Sequence, residues 1–353
     1  MMIAKHVERL EGYVPGEQPR GSGVVKLNTN ENPYEPSPRA TEALRALAAD
    51  RLRRYPDPEC GALAAAIAAR CGVSPRRVFV GNGSDEILSL CARAFVDDGE
   101  RIGSLDPSYS LYKTLAAIRD AEWRGCPAPD AAAAKRLAAD ENVSLFLWTN
   151  PNAPTGAFAE PQAIADFAAA FPGVTLVDEA YADFARDNCM RLAAAPDNRN
   201  TIVMRTFSKS WSLAGLRVGY CIGPEELIAA LYKIKDSYNV DAVAQAVAAA
   251  AYSDEAWHRE TVAKVVEGRE RLAAELRARG WDVPHSEANF LFAKPPSPSA
   301  AEDVFRGLRG RNVFVRWFAA ANTRDRLRIT VGTPEQNAAF LAAADAVCAA
   351  CRA

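Results

Sequence analysis

The chain has few histidines and no run of basic residues. Its 3 histidines, His6, His258 and His285, stand far apart, so none has the spacing typical of metal ligands. The 42 lysines and arginines are balanced by 44 aspartates and glutamates, and the net charge is −2. Without a basic patch, no nucleic-acid surface is indicated. These absences argue against a metal site and favour chemistry on small molecules.

The sequence also lacks long apolar runs. No segment reaches the roughly 18 consecutive apolar residues of a membrane-spanning helix, and the opening MMIAKHVERLEGYVPG has no apolar core of a secretory signal. The 8 cysteines are scattered within apolar patterns, as is typical of free thiols in a reducing compartment. The spacing of Cys348 and Cys351 suits metal or redox chemistry, but no second pair accompanies it. A cytoplasmic location is therefore expected.

Helix-like and strand-like segments alternate through the middle of the chain. A length of 353 residues suggests about two domains. Short apolar runs bounded by polar turns indicate buried strands: RRVFVGNG, NVSLFLWTN, GVTLVDEA, TIVMRTFS and RVGYCIG. The pattern predicts an α/β fold with a mostly parallel sheet flanked by helices, followed by a smaller α+β domain. The expected divisions are an N-terminal arm at 1–28, a large domain at 29–240 and a small C-terminal domain at 241–353.

Polar residues follow several of these strands, where ligands bind in open parallel sheets. Ser84 and Asp85 open a helix after a glycine turn, where free N–H groups and the helix dipole favour an anion. An ordinary helix cap explains this motif equally well. Asp178 follows an apolar strand and needs a cation or hydrogen-bond donors if it is buried.

A lysine between two serines follows another strand. Lys209 lies between Ser208 and Ser210, and Arg217 follows shortly after. Because a buried lysine is costly unless it is paired or chemically used, this segment indicates a functional site. Together with Asp178 and the possible anion site, it suits a ligand that carries a phosphate, a basic ring nitrogen and a carbonyl able to condense with an amine. Pyridoxal 5'-phosphate has all three groups.

Motifs in a fixed order carry a family resemblance. They run from Tyr13 to Thr333 and read YVPG, NTNENPY, RYPDP, GNGSDE, DPSYSLY, NPNAPTG, DEAYADF, SKSWSLAGLRVGY, SEANFLF, VRWF and LRITVGT. On these motifs the chain resembles the fold type I pyridoxal-phosphate aminotransferases, and among them the histidinol-phosphate aminotransferases. Any one motif is weak, but their order covers nearly the whole chain.

The resemblance implies a role for each catalytic residue. Lys209 would form the covalent linkage with pyridoxal phosphate and move the proton at the substrate α-carbon. Asp178 would keep the ring nitrogen protonated. Tyr181 would hydrogen-bond the phenolic oxygen of the cofactor, and Tyr109 would stack on its ring.

The resemblance also implies how the cofactor phosphate is held. Ser84, Asp85, Ser208 and Arg217 match a phosphate cup, and Tyr55 would reach the phosphate from the neighbouring subunit of a homodimer.

On the substrate side, Arg316 and Arg328 match a pair that grips the anionic end of the substrate, and Tyr13 lies on an arm that closes over it. The implied reaction exchanges an amino group between L-histidinol phosphate and 2-oxoglutarate in histidine biosynthesis. Aromatic amino-acid transamination and threonine-phosphate decarboxylation remain alternatives on the same fold.

One position departs from the family pattern. The family usually has asparagine before Pro-Thr-Gly as a donor to the phenolic oxygen, and this chain has Ala153. Either Tyr181 serves that oxygen alone or Asn152 compensates from one position earlier. We favour the first, because a shift of one residue changes the direction of a side chain.

Overall fold

The computed structural model describes residues 2–10, 12–13 and 15–351. Within them the strands are β1 Val25–Lys26, β2 Val78–Gly81, β3 Arg101–Leu105, β4 Glu122–Cys126, β5 Val143–Thr149, β6 Val174–Asp178, β7 Thr201–Thr206, β8 Gly219–Ile222, β9 Phe290–Ala293, β10 Val313–Phe314, β11 Arg316–Trp317 and β12 Leu327–Thr330. They form one large sheet and two small ones.

The α-helices of the described residues lie mostly between these strands. They are α1 Lys5–Glu8, α2 Pro38–Arg45, α3 Gly61–Cys71, α4 Gly83–Ala94, α5 Leu111–Ile118, α6 Ala131–Ala139, α7 Pro161–Ala170, α8 Met190–Ala194, α9 Glu225–Ile234, α10 Ala242–Tyr252, α11 Glu255–Ala278, α12 Ala301–Arg309 and α13 Pro334–Ala350. Short 3₁₀ helices are Ala49–Arg53, Pro75–Arg77, Ala182–Phe184 and Ala214–Leu216.

The large sheet has the strand order β2-β8-β7-β6-β5-β3-β4. Strands β3 to β7 run parallel, whereas β8 is antiparallel to both of its neighbours, β7 and β2. The carboxyl ends of β2, β5, β6 and β7 therefore meet at one edge. This arrangement confirms the predicted α/β fold with a mostly parallel sheet.

Apolar side chains on successive residues cover both faces of this sheet. Along β5, Phe146 and Trp148 pack into one hydrophobic cluster, and Leu145 and Leu147 pack into another on the opposite face. A strand buried on both faces reads as a continuous apolar run, which is why VSLFLW showed no alternation in the sequence. Helices on each face complete the two clusters.

A second core surrounds the smaller sheet β11-β12-β9. Apolar residues of α11, α12 and α13 pack against it, with Phe340 of α13 fully buried. Helix α13 begins at a capping box between Thr333 and Gln336, with Pro334 in the first turn. Strand β1 pairs with β10, so the N-terminal segment joins this unit, whereas α10 packs with α2 and α3. The domain boundaries at 28 and 240 stay predictions.

Among the residues that the structure describes, no helix has the length and apolar character needed to cross a membrane.

Candidate active site

A pocket opens where the carboxyl ends of the large sheet face the smaller sheet. Predicted site residues that line it are Tyr13, Ser84, Asp85, Tyr109, Asp178, Tyr181, Ser208, Lys209, Arg217, Arg316 and Arg328. The structure thus brings together every site residue predicted from the sequence except Tyr55. Their roles stay predictions.

Lys209 projects into this pocket three residues after β7 ends. Its Nζ donates to the Thr29 carbonyl at 3.1 Å and lies 5.8 Å from the centre of the Tyr181 ring. Burial, followed by the nearby charge of Arg328, lowers the pKa of Lys209 to about 8. A lysine with a lowered pKa is neutral more often near pH 7, so it is a better nucleophile and proton acceptor.

Asp178 is the last residue of β6 and is 4% exposed. Its Oδ2 accepts from the Tyr112 hydroxyl at 2.8 Å, and its Oδ1 accepts from the Ala180 N–H at 3.1 Å. Burial raises the pKa of Asp178 to about 6, although both hydrogen bonds act in the opposite direction. No ion pair among the described residues includes Asp178. The carboxylate is therefore suited to a cationic group of a ligand.

Tyr112 and Thr149 were not anticipated as parts of this site. The Tyr112 hydroxyl lies 2.6 Å from Thr149 Oγ1, and Thr149 is the cross-strand neighbour of Asp178. Thr149 could have been found because it ends a buried strand, as Asp178 does. Tyr112 gave no such signal, since it reads as an ordinary core aromatic of α5.

The N-terminus of α4, with Ser84 and Asp85, lies beside Ser208 and Arg217, and we call these four residues the predicted anion cup. The Arg217 guanidinium contacts Asp85 Oδ2 and Ser208 Oγ, each at 3.2 Å. A Cβ at Gly83 would lie 2.6 Å from Arg217 Nη2, and one at Gly219 would lie 2.6 Å from the Ser84 nitrogen. Both glycines therefore permit a close approach that a larger residue would block. Free N–H groups beside a guanidinium suit a phosphate.

Aromatic residues form one wall of the pocket. The Tyr109 ring meets the rings of Tyr13 and Tyr112 edge-on, with centroids 5.9 and 5.6 Å apart. The Tyr109 hydroxyl lies 3.5 Å from Asp85 Oδ1. Tyr109 thus presents a fixed ring between the anion cup and the N-terminal arm, where a planar ligand could stack.

Arg316 and Arg328 are paired in register on β11 and β12. Their guanidinium carbons lie 5.4 and 5.5 Å from the Phe318 ring centre. Burial lowers the pKa of Arg328, and the like charge of Arg316 lowers it further. The buried Nε of Arg328 has no hydrogen-bond partner among the described residues. Two cations held together in this way would be stabilised by a dianionic or carboxylate ligand.

Ala153 lines the pocket with a methyl group, and Asn152 does not replace the missing amide. The Asn152 Nδ2 donates to the Pro107 carbonyl at 3.0 Å and to Thr155 Oγ1 at 2.9 Å, and its Oδ1 accepts from Ser108. One amide hydrogen is engaged within the loop of Asn152, and the other is engaged by the segment that follows β3. This geometry favours the interpretation in which Tyr181 acts without Asn152.

Tyr55 lies outside the pocket of its own chain. Its side chain is 81% exposed, and its ring stacks on Tyr238 with centroids 4.4 Å apart. Within one chain, therefore, Tyr55 does not reach the anion cup.

Comparisons with known proteins show the family of this chain. The family described as aminotransferase class I and II matches residues 22–343. The chain is 44% identical to a histidinol-phosphate aminotransferase of Syntrophotalea carbinolica, over 97% of this chain and 98% of the relative. It is 45% identical to histidinol-phosphate aminotransferase 1 of Bradyrhizobium diazoefficiens, over 94% of each.

Among solved structures, one similar fold is the histidinol-phosphate aminotransferase of Sinorhizobium meliloti in complex with pyridoxal-5'-phosphate. The TM-score is 0.86 at 26% identity, and the match covers 92% of this chain and 91% of that one. Since the family match spans nearly the whole chain and includes every residue of the pocket between Asn28 and Arg328, this chain belongs to the class I and II aminotransferases.

Proposed function

We propose that this chain is a pyridoxal-phosphate-dependent aminotransferase that exchanges an amino group between L-histidinol phosphate and 2-oxoglutarate. The observation that carries the proposal is the pair Arg316 and Arg328, which faces Lys209 and Asp178 across one pocket. The histidinol-phosphate aminotransferases that resemble the chain over nearly its full length support the same substrate.

The pocket fits the three reactive groups of pyridoxal phosphate. Lys209 would condense with the aldehyde, Asp178 would hold the ring nitrogen, and the anion cup at Ser84, Asp85, Ser208 and Arg217 would hold the phosphate. The fit rests on a carboxylate without a protein cation and on a cup that two glycines keep open. When bound, the cofactor supplies a sink for the electron pair left on the substrate α-carbon.

The residues of the chain then manage protons and charge. Lys209, once released by the incoming amine, would take the proton from the substrate α-carbon and deliver it to the cofactor carbon that had carried the aldehyde. Asp178 would keep the ring nitrogen protonated, since a cation there offsets the cost of the buried carboxylate. Tyr109 would stack on the ring and Tyr181 would donate to its phenolic oxygen.

The arginine pair explains how one site accepts two substrates. A phosphate monoester and the distal carboxylate of 2-oxoglutarate are both anions that a guanidinium binds with two parallel hydrogen bonds. The imidazole of histidinol phosphate needs no charged partner. Tyr13, 37% exposed and in contact with Tyr109, would cover the bound substrate.

A panel of amino donors tests this proposal. With bound pyridoxal phosphate and 2-oxoglutarate, we expect kcat/KM for L-histidinol phosphate to exceed that for L-phenylalanine by at least about tenfold. O-phospho-L-threonine should release no carbon dioxide. A preference for phenylalanine, or carbon dioxide release, would show that the substrate assignment is wrong. Borohydride reduction and peptide mapping should place the pyridoxyl group on Lys209.

We also propose a homodimer in which Tyr55 completes the anion cup of the neighbouring subunit. The support is its exposed, stacked ring and the exposed apolar side chains nearby in sequence, Leu44 and Leu52. Apolar groups exposed together often mark a protein contact.

Mixed dimers test the crossing of Tyr55. Tyr55→Ala should weaken cofactor binding by about 10- to 100-fold through loss of one hydrogen bond to a charged phosphate. A dimer of one Tyr55→Ala subunit and one Lys209→Ala subunit would carry one site with both residues intact. Unfolding and refolding the two variants together should therefore restore tight cofactor binding and activity at one site per mixed dimer. If mixing restores nothing while wild-type chains refold, Tyr55 does not act across the interface.

A further inference from the structure

The Tyr181 hydroxyl makes its only hydrogen bond among the described residues with an asparagine from the N-terminal part of the chain. Asn30 Nδ2 donates to the Tyr181 hydroxyl oxygen at 2.9 Å. Both side chains line the pocket, and they are 1% and 8% exposed. A hydrogen bond as buried as this one is shielded from competing water.

The direction of this hydrogen bond is fixed by Thr330. The Asn30 backbone N–H donates to Thr330 Oγ1 at 3.0 Å, so the threonine hydroxyl hydrogen is free to donate to Asn30 Oδ1 at 3.1 Å. Because the amide oxygen is engaged by this donor, the amide nitrogen faces Tyr181. In this orientation the threonine hydroxyl hydrogen has an acceptor, whereas the reversed amide would leave it without one among the described residues.

The backbone of Asn30 is held in an uncommon conformation. Its φ is 57°, in the left-handed region that asparagine and glycine tolerate best. The Asn289 side chain donates to its carbonyl at 3.0 Å, and its N–H is bound to Thr330. Side chain and backbone are thus both fixed toward Tyr181.

The amide leaves Tyr181 with a free hydroxyl hydrogen. Since the tyrosine oxygen accepts from Asn30, its own hydrogen has to point elsewhere, and no described residue accepts it. The adjoining wall at Ala153 is a methyl group and offers no other donor to a ligand. The hydrogen of Tyr181 is therefore available to an acceptor in the pocket.

We propose that Asn30 is a positioning residue for the reaction: its amide holds the Tyr181 hydroxyl so that the hydroxyl hydrogen points at the phenolic oxygen of the cofactor. The inference rests on the proposed function, since it requires bound pyridoxal phosphate. A donor into the tyrosine oxygen also strengthens its O–H as a donor, because consecutive hydrogen bonds polarise one another. In this way Asn30 would allow the Tyr181 hydroxyl to serve the phenolic oxygen as its single donor, since Ala153 supplies no second one.

Burial and two nearby carboxylates favour the protonated form of Tyr181. Burial raises the pKa of Tyr181, and Asp178 and Asp85 raise it further, while Arg328 and the Asn30 hydrogen bond act in the opposite direction. Lys209 faces the same ring at 5.8 Å. Tyr181 therefore remains a protonated donor at neutral pH.

Glycine at position 30 provides the test, because it keeps the left-handed backbone and removes only the amide. In the cofactor-loaded protein, the pKa of the covalent linkage at Lys209 is read from its absorbance as the pH is varied. A donor to the phenolic oxygen stabilises that oxygen most when the linkage nitrogen has lost its proton. Asn30→Gly should therefore raise this pKa by about one unit.

Two further variants separate positioning from structural damage. Tyr181→Phe should also raise the pKa, and adding Asn30→Gly to it should produce no further shift, because the amide acts through the tyrosine. Asn142→Gly is the matched control. Asn142 has φ 51° and donates to the Gly99 carbonyl at 3.1 Å, away from the pocket. The pKa of the linkage at Lys209 in Asn142→Gly should therefore equal that of wild type.

Two results would overturn the inference about Asn30. The first is an Asn30→Gly protein that binds the cofactor and has the linkage pKa of wild type. The second is a pKa shift on Asn30→Gly that is equally large in wild type and in Tyr181→Phe. Either result leaves the proposed function intact. A wild-type protein that shows no absorbance band with added pyridoxal phosphate would overturn both.

Discussion

Lys209→Ala should lower kcat for transamination by on the order of 10⁴-fold or more. The substitution removes both the amine that condenses with the cofactor and the group that moves the α-proton. It should leave the fold intact, because the Lys209 side chain makes one hydrogen bond, to the Thr29 carbonyl, and no ion pair among the described residues. Initial rates with L-histidinol phosphate measure the loss, and circular dichroism checks the fold.

Lys113→Ala is a suitable control for this experiment. Lys113 lies on α5, with its Nζ 3.9 Å from the centre of the Trp123 ring, and does not line the pocket. Its removal should leave kcat within about twofold of wild type, as expected for a change at a lysine outside the site. If Lys209→Ala retained a tenth of wild-type activity while binding the cofactor, Lys209 would not be the catalytic amine.

Arg328→Ala should lower kcat/KM for L-histidinol phosphate by about 30- to 150-fold. The estimate is the loss of one charge-assisted pair, about 2–3 kcal/mol of substrate binding. Cofactor binding should persist, because Arg217 contacts Asp85 and Ser208, whereas Arg328 donates to the Asn28 carbonyl. Since Arg328 also lowers the pKa of Lys209, the amine should become slightly more basic in the variant. Steady-state kinetics measure the loss in kcat/KM, and a cofactor titration measures cofactor binding.

The neighbouring Arg326 provides the matched control. Its guanidinium pairs with Asp282 at 2.5 Å, outside the pocket, so Arg326→Ala removes an arginine and an ion pair without touching the site. Its kcat/KM should stay within about threefold of wild type. A loss as large as that of Arg328→Ala would indicate damage to the smaller sheet. If Arg328→Ala used histidinol phosphate as well as wild type, the arginine pair would not bind the phosphate.

Local patterns in the sequence were sufficient for the fold class and for the part of the pocket that lies at the strand ends. Apolar runs with polar residues at their carboxyl ends predicted that Asp178 and Lys209 lie at one edge of a parallel sheet, and the structure places both there. The glycine turn before Ser84 predicted an anion site for the same kind of reason. In each case the signal lies within a few consecutive residues, where strand, turn and helix preferences act directly.

Other parts of the site could not be predicted, because they join distant segments. The hydrogen bond from Tyr112 to Asp178 spans 66 positions, and that from Asn30 to Tyr181 spans 151. Tyr112 is indistinguishable in the sequence from a core aromatic, and Asn30 from a turn asparagine. Neither carries a periodic or spacing signal that identifies its partner.

The sequence by itself determined the strands β2, β5, β6, β7 and β8 of the large sheet and the chemical groups that stand at their ends. The tertiary structure alone decided that Arg316 and Arg328 lie side by side in register, that the Asn152 amide donates to the distant Pro107 carbonyl and that Asn30 reaches Tyr181. The physical reason is the range of the interactions. Strand and turn preferences act over a few residues, whereas the direction of a buried side chain is set by close packing and by hydrogen-bond partners from other segments.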